Sequence, residues 1–431
     1  MSVMKQAIMR FSCLAVMCAV SACMFPPAAY LAQTAPKGLV LQNVHVITGT
    51  HAPHLRDKIV IIKGNRIADI IDARTAREHP GYRVMDLKGK YLIPGLIDSH
   101  FHIIPIHSEK ALEYALYSGI TVVRDMAGDG GYLQDLQQAI RTGEVIGPDV
   151  YFSALMAGMD YLKHSANARM CTPPDYELGK APWMRAVGRQ TDIRQVIRDA
   201  KNCGATGIKI YNGLSAELVC ALTAEAHNQG LKAWAHAVVS PATALDVVRA
   251  GVDTISHAVM LLFPDNWTIG EYGGSIAIDR EQYSHKRLGE IFSLMKKNNI
   301  YLDPTLLLYS RQTAHDPGIM DLVYLTTRMA HEQGVLFVAG TDIFMKNKKR
   351  AVHDLHYEME LLVEKAGLSA QDALQAATIH GAEVLGIAAT HGSIEKGKIA
   401  NMVVLTDNPL ADIRHTREID FVIKQGKIYR Y

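Results

Sequence analysis

The sequence predicts an α/β fold, a (β/α)8 TIM barrel with a small β-sandwich subdomain built from both chain ends. Three observations carry this expectation. Eight short apolar runs recur from Leu92 onward, most of them followed by a segment of helical period, the texture of βα units around a parallel sheet. Val- and Ile-rich runs punctuated by turn residues flank this pattern on both sides. Histidine, lysine and aspartate stand at the ends of several of the predicted barrel strands, where barrels of this kind build their sites.

At 431 residues, 48% hydrophobic and 20% charged, the chain can bury one barrel-sized core with an appendage. Residues 1–22 read as a signal peptide: Lys5 and Arg10 precede or begin an apolar run, Phe11 to Val20, too short to span a bilayer. Val20-Ser21-Ala22-Cys23 resembles the lipobox of bacterial lipoproteins, with cleavage before Cys23 and a lipid on that residue. The alternative is an ordinary secretory leader cut near Ala28 or Ala35. Either route exports the chain to the periplasm or cell envelope, with membrane contact only through an N-terminal lipid. Losing Lys5 and Arg10 from 45 basic side chains leaves 43 against 43 acidic ones, so nucleic acid is not an expected partner. Beyond Cys23 only Cys171, Cys203 and Cys220 remain, enough for at most one disulfide and no cysteine zinc site.

Residues 37–91 hold the first part of the sandwich: Leu39 to Thr48, then Lys58 to Lys63 and Arg66 to Ile71 around a Gly64-Asn65 turn. Residues 92–391 are assigned to the barrel. Its expected strands are Leu92 to Asp98, Thr121 to Arg124, Asp149 to Ser153, Gly207 to Tyr211, Ala233 to His236, Thr254 to His257, Tyr301 to Asp303 and Val335 to Thr341. The intervening segments, such as Ala216 to Asn228 and Leu355 to Lys365, read as helices, and Gly230 and Gly367 suit C-caps. Ser369 suits the N-cap of a further helix, and residues 392–431 return as strands to complete the sandwich. Two long connections, Ala154 to Gln190 and Leu261 to His285, are expected to be functional and to emerge at the barrel mouth.

Asp98-Ser99-His100-Phe101-His102 closes the first barrel strand. Alternate residues of a strand share a face, so His100 and His102 can aim two imidazoles at one point. Four later strand ends each add a residue able to bind or bridge a metal: Lys209, His236, His257 and Asp342.

These residues carry a family resemblance. Leu92-Ile-Pro-Gly-Leu-Ile-Asp-Ser-His-Phe-His102, Gly340-Thr341-Asp342 and Gly392-Ser-Ile-Glu-Lys-Gly-Lys-Ile-Ala400 resemble signatures of the amidohydrolase superfamily. His356 to Leu368 and Asp303-Pro304-Thr305-Leu306 are similar to its imidazolonepropionase-related and prolidase-like dipeptidase members. A protonated Lys209 beside two cations would be repelled, so this lysine suits a metal site only as a carbamate whose oxygens bridge two metals, which the resemblance also implies. The alternative is a lysine that forms a salt bridge at a strand end. The expected arrangement puts His100, His102 and Asp342 on one metal, His236 and His257 on the other, and carboxylated Lys209 on both. Imidazole and carboxylate donors suit two divalent metal ions, Zn2+ before Mn2+, Co2+ or Fe2+. A water bridging such a pair would titrate to hydroxide near neutral pH. The resemblance gives Asp342 the general base and acid role.

Tyr211, two residues past Lys209, can donate to a developing oxyanion or simply pack at the barrel rim. Prolidase-like relatives place a tyrosine where this chain has Val238, which departs from simple dipeptidase specificity. His164 and Arg169 can clamp a substrate carboxylate, whereas His353 and His356 suit packing or capping. The expected activity is hydrolysis of an amide or peptide-like C–N bond in a small substrate, such as a dipeptide, an N-acyl amino acid or a cyclic amide. A lactonase or deaminase on the same scaffold, a binding lipoprotein without catalysis, and an oligomer are the other readings the residues allow.

Overall fold

The structure, a computed structural model, describes residues 36–75, 78–105, 108–265, 267, 285–313, 317–342 and 351–430. The leader with Cys23, and most of the connection from Leu261 to His285, lie outside the described residues. Five strands open the described chain: β1 (Leu39–Val46), β2 (Leu55–Lys63), β3 (Arg66–Asp72), β4 (Arg83–Asp86) and β5 (Tyr91–Pro94). The β2–β3 hairpin turns at Gly64, which supplies the positive φ of 60° that a two-residue turn of this kind needs.

The barrel follows as β6 (Leu96–Phe101), α1 (Ser108–Tyr117), β7 (Ile120–Asp125), α2 (Gly130–Thr142) and β8 (Asp149–Ala157). The first long connection is structured, with α3 (Met159–His164), α4 (Ala166–Met170), β9 (Lys180–Ala181) and β10 (Met184–Ala186). Then come α5 (Ile193–Asn202), β11 (Gly207–Ile210), α6 (Ala216–Asn228), β12 (Lys232–His236), α7 (Ala244–Arg249) and β13 (Thr254–Ser256). The barrel ends with α8 (His285–Asn298), β14 (Tyr301–Asp303), α9 (Leu306–Gln312), α10 (Pro317–Glu332) and α11 (Leu355–Glu364). Two short helices, α12 (Ala370–Ala376) and α13 (Ile379–Val384), lead to β15 (Met402–Leu405), β16 (Ile419–Lys424) and β17 (Lys427–Tyr429).

Strands from both ends form one continuous mixed sheet in the order β17-β16-β15-β5-β1-β2-β3, with β4 also on β1. The sheet folds over its own core. Ile67 N–H donates to Lys398 O, and Leu41, Val46, Ile62, Met402, Val404 and Phe421 pack between the two halves. One assignment changes here. Leu92 was expected in the first barrel strand, yet Tyr91–Pro94 pairs with β1 and β15, and the barrel starts only at Leu96. Tyr91 to Asp98 is one nearly unbroken apolar run, so its pattern hides the break at Pro94-Gly95. A Cβ on Gly95 would lie 2.3 Å from Thr121 Oγ1, so only glycine lets the chain pass from sheet to barrel this close to β7.

Among the described residues seven parallel barrel strands pair in the order β6-β7-β8-β11-β12-β13-β14. The expected eighth, Val335 to Thr341, forms a single bridge at Phe337 rather than a regular strand. Its backbone still closes the ring. Val338 N–H donates to Leu302 O (3.0 Å), Ser99 N–H to Ala339 O (2.9 Å) and Asp342 N–H to His100 O (2.7 Å). Gly340 explains the irregular path: a Cβ there would meet His100 Cβ and Asp303 Oδ1 at 2.5 Å, so the segment is drawn inward onto both neighbours.

Ser369 caps α12 as expected, in a capping box with Asp372, and Gly230 and Gly367 adopt φ of 77° and 80° after their helices. Cys171, Cys203 and Cys220 are free thiols. His353 and His356 also match the packing role. His356 Nε2 donates to Ser118 O (2.8 Å) and its Nδ1 pairs with Thr416 Oγ1 (3.0 Å), tying α11 to the barrel and to the C-terminal segment.

Burial pushes His356 from 6.5 to about 4. A pKa depressed in the folded state means stability that is present above the ordinary imidazole pKa and lost as pH falls toward 4. A His356→Gln variant, neutral at every pH, should lose about 2 kcal/mol less unfolding free energy between pH 7 and 4.5 than the parent chain. Urea unfolding at the two pH values measures it; equal losses would show that His356 is not a source of acid sensitivity.

Candidate metal centre

The β6 strand delivers His100, and His102 follows its end, with ring centroids 5.5 Å apart. Lys209 lies in β11, His236 ends β12, and His257 and Asp342 stand just past β13 and the bridging segment. All six converge at the C-terminal mouth of the barrel. Asp342 Oδ1 lies 3.0 Å from His102 Nε2 and 3.6 Å from His100 Nε2, and Oδ2 lies 3.8 Å from His257 Nδ1. The His236 and His257 rings are 4.8 Å apart and nearly perpendicular. His257 and Asp342 hold φ of 75° and 51°, a region costly for residues other than glycine and found where function dictates geometry.

Lys209 is fully buried and donates to Ser256 Oγ at 2.7 Å. Among the described residues no carboxylate is in ion-pair contact with it, so the salt-bridging alternative finds no partner. Burial pulls its amine down to about 7, against the raising field of Asp303. Burial likewise holds His100 and His236 well below the usual imidazole range and takes His257 to about 4. Burial alone would raise Asp342, but the imidazoles of His100, His102 and His257 hold it below the usual carboxylate range. Burial thus favours neutral imidazoles at His100, His236 and His257, beside a carboxylate, Asp342, that favours its ionised form.

That donor set fits a divalent cation. Ligand atoms of His100, His257 and Asp342 all lie within 4.8 Å of one another, and neutral imidazole with carboxylate is the chemistry of zinc-like ions.

Several residues that organise the centre were quoted from the sequence only within motifs, or not at all, and given no role there. Asp303 Oδ2 accepts from His100 Nδ1 at 2.6 Å and from Ser256 Oγ at 2.9 Å. This fixes His100 with its Nε2 facing Asp342. Asp98 accepts from the N–H groups of His100 and Thr341 and from the Thr341 hydroxyl (2.6 Å), joining β6 to the bridging segment. Thr305 Oγ1 meets His257 Nδ1 at 3.0 Å and Asn212 Oδ1 meets His236 Nδ1 at 3.4 Å. The available signal was a charge inside an otherwise apolar strand, as in Tyr301-Leu302-Asp303.

The substrate-contact expectations fare differently. The Tyr211 ring packs 4.3 Å from that of His236, and its hydroxyl donates to Met126 O at 2.8 Å. That proton is committed to the backbone, so Tyr211 is a wall of the site rather than an oxyanion donor. His164 bonds back to Asp160 O (2.7 Å), Arg169 donates to Lys163 O (2.5 Å), and both are exposed. Their neighbours Ser165, Asn167, Ala168, Met170 and Cys171 line the pocket beside the centre instead. On short helices only one side can face the pocket, and His164 and Arg169 occupy the other.

Residues 91–429 match the family described as Amidohydrolase family. The chain belongs to the amidohydrolase family. It is 23% identical to a probable imidazolonepropionase of Xenopus tropicalis, over 86% of this chain and 89% of that protein. It is 24% identical to an imidazolonepropionase of Phocaeicola vulgatus, over 90% and 98%. Among solved structures it resembles a Xaa-Pro dipeptidase with bound methionine (TM-score 0.71, 23% identity, 91% of this chain and 100% of that chain). Another is A. niger ochratoxinase (TM-score 0.72, 21% identity, 92% and 96%). Structural likeness at these identities shows the shared fold. Membership of the family makes this amidohydrolase an enzyme that hydrolyses carbon–nitrogen bonds.

An Asp303→Asn variant keeps the shape beside His100 and loses the charge. Its affinity for zinc should fall by about tenfold or more, as loss of a partner behind a ligating histidine does elsewhere. Chelator competition reads the affinity, and an unchanged value would reduce Asp303 to a packing role.

Proposed function

We propose that this amidohydrolase cleaves an amide or peptide-like C–N bond in a small substrate, using two divalent metal ions, zinc first among them. The observation that carries the reading is the Asp342 carboxylate, ionised and set among His100, His102 and His257 at the barrel mouth. His100, His102 and Asp342 would hold one ion, His236 and His257 the other, and Lys209, carboxylated on its buried amine, would serve both. When bound, such ions polarise the substrate carbonyl and acidify water.

The chain's own groups supply the rest. The Asp303 and Thr305 contacts hold His100 and His257 in fixed orientations. Asp342, an ionised carboxylate at the same point, takes a proton from the attacking water and returns it to the departing amine. Burial of Lys209 among histidines, with Ser256 Oγ and Ala235 O as its acceptors and, among the described residues, no carboxylate in ion-pair contact, supports the carbamate, since the field of Asp303 only partly offsets the cost of burying an ammonium there. The relatives named as imidazolonepropionases and the neighbour named as a Xaa-Pro dipeptidase support a small substrate: a dipeptide, an N-acyl amino acid or a cyclic amide. Cys23, as a lipid site, would tether the enzyme at the cell envelope.

Chelation should abolish hydrolysis across a panel of dipeptides and N-acyl amino acids, and Zn2+ should restore it. Full activity in metal-free protein would overturn the metal mechanism. Counting metals in Lys209→Ala by mass spectrometry tests the bridge: the variant should hold fewer ions than the parent, and an unchanged count would remove the carbamate from the scheme.

A further inference from the structure

The loop after β6 carries His102, and the turn after β7, Met126 to Gly128, is bonded to the end of β6 through Met126 N–H and Phe101 O (2.9 Å). Asp125, the last residue of β7, is fully buried and serves both segments. Its Oδ2 accepts at 2.7 Å from the N–H of Ile103, the residue that directly follows His102. Its Oδ1 accepts from Gly128 N–H at 2.5 Å, and Ala127 N–H is a third donor to the same carboxylate.

The turn is shaped around that carboxylate. Ala127 holds φ of 100°, a region that residues other than glycine rarely adopt, and such strain persists where surrounding bonds over-determine it. Successive N–H groups in a turn of this kind form a concave nest for an anion, and here the anion is the chain's own side chain. The fit is close: a Cβ on Gly128 would lie 2.9 Å from Asp125 Oδ1. A carboxylate that only capped this turn would need Oδ1 alone, yet Oδ2 reaches back 22 residues to the His102 loop. The turn in turn bears on the other side of the centre. Met126 O accepts the Tyr211 hydroxyl at 2.8 Å, and the Tyr211 ring packs 4.3 Å from that of His236.

We propose that Asp125 is the positioning residue for His102: its carboxylate fixes the backbone that aims His102 at Asp342, 3.0 Å away, and couples that aim to the Tyr211 wall beside His236. The consequence for metal rests on the reading above, in which His102 shares an ion with His100 and Asp342. Burial pushes the Asp125 carboxyl up, and the field of His102 is the first of the influences that pull it back, as expected of neighbours.

Asp125→Ala removes both acceptors. In the metal-free full chain, exchange of the Ile103 amide, followed by hydrogen-exchange mass spectrometry with fragmentation, should quicken by about fivefold or more, the loss of one hydrogen bond. Zinc affinity, read by chelator competition, should fall by about tenfold or more, and the visible bands of the Co2+-loaded chain should shift because a ligand has moved. Val196→Ala, at a buried position of α5, controls for lost stability and should leave affinity and bands unchanged. Gly128→Ala approaches the same contact from the other partner should Asp125→Ala fail to fold: its Cβ displaces Oδ1, and the same changes should follow at smaller size. An unchanged Ile103 exchange rate overturns the proposal, as does faster exchange with the parent's zinc affinity and Co2+ bands. A parent chain that binds neither ion sinks the metal reading instead, and Ile103 exchange then decides whether Asp125 holds the His102 loop.

Discussion

The centre hangs on one buried contact, the 2.6 Å hydrogen bond between His100 Nδ1 and Asp303 Oδ2. It joins β6 to β14 across the barrel closure, where the eighth segment offers only a single bridge. From Asp303 the chain of bonds continues through Ser256 Oγ to Lys209 Nζ, so residues on four strands share one network. Arg124, fully buried with its guanidinium 4.0 Å from Asp303 and stacked 4.6 Å over Trp234, closes the layer beneath. Asp303 is therefore a shared counter-charge, and burial raises its pKa only against the pull of Arg124 and Lys209. Asp303 Oδ2 carries the bonds to both His100 and Ser256, so the position of His100 and that of Ser256 depend on one carboxylate oxygen.

Desolvation sets the chemistry above that layer. The His100, His236 and His257 rings lie close together, each disfavours a charge on its neighbours, and burial disfavours the charged form of each. The outcome is a set of lone pairs held ready at neutral pH, together with an anionic Asp342. The same rule makes Lys209 anomalous. An ammonium in that position gains a hydroxyl, a backbone carbonyl and no described carboxylate in direct contact, so its place at a strand end argues for a chemical role rather than a structural one.

Much of this was legible in the sequence, for reasons that differ by element. A helical period located Ala216–Asn228 and a short run between helical segments located Tyr301–Asp303 to the residue, because the helix buries one face and the parallel strand lies inside the barrel. The metal-ligand candidates were legible because strand ends of a parallel barrel must meet at one mouth. The Leu92 error had the opposite cause: Tyr91 to Asp98 is buried on both sides of Gly95, so no polarity change marks the passage from sheet to barrel. Asp303 and Asp98 were seen as parts of motifs but their roles were not, because their partners are distant in sequence and a lone acid in an apolar run does not announce what it caps. For Tyr211, residue type and spacing were right, while the direction of the hydroxyl depended on Met126 O, set by the next-but-one strand.

Close backbone approach supplies the last constraint. Gly340 sits against His100 and Asp303, and Gly158 against Gly213, where a Cβ would lie 2.4 Å from Gly213 O. The first pair lets Asp342 come within reach of His100 and His102; the second draws the start of α3 onto the loop after β11, beside Tyr211. Neither glycine carries chemistry, yet each sets how near a functional wall stands to the centre. Side chains of the right type at the mouth are thus insufficient by themselves. The backbone must also be stripped of bulk at the points where the bridging segment and the α3–α4 connection press inward, and glycine alone permits that.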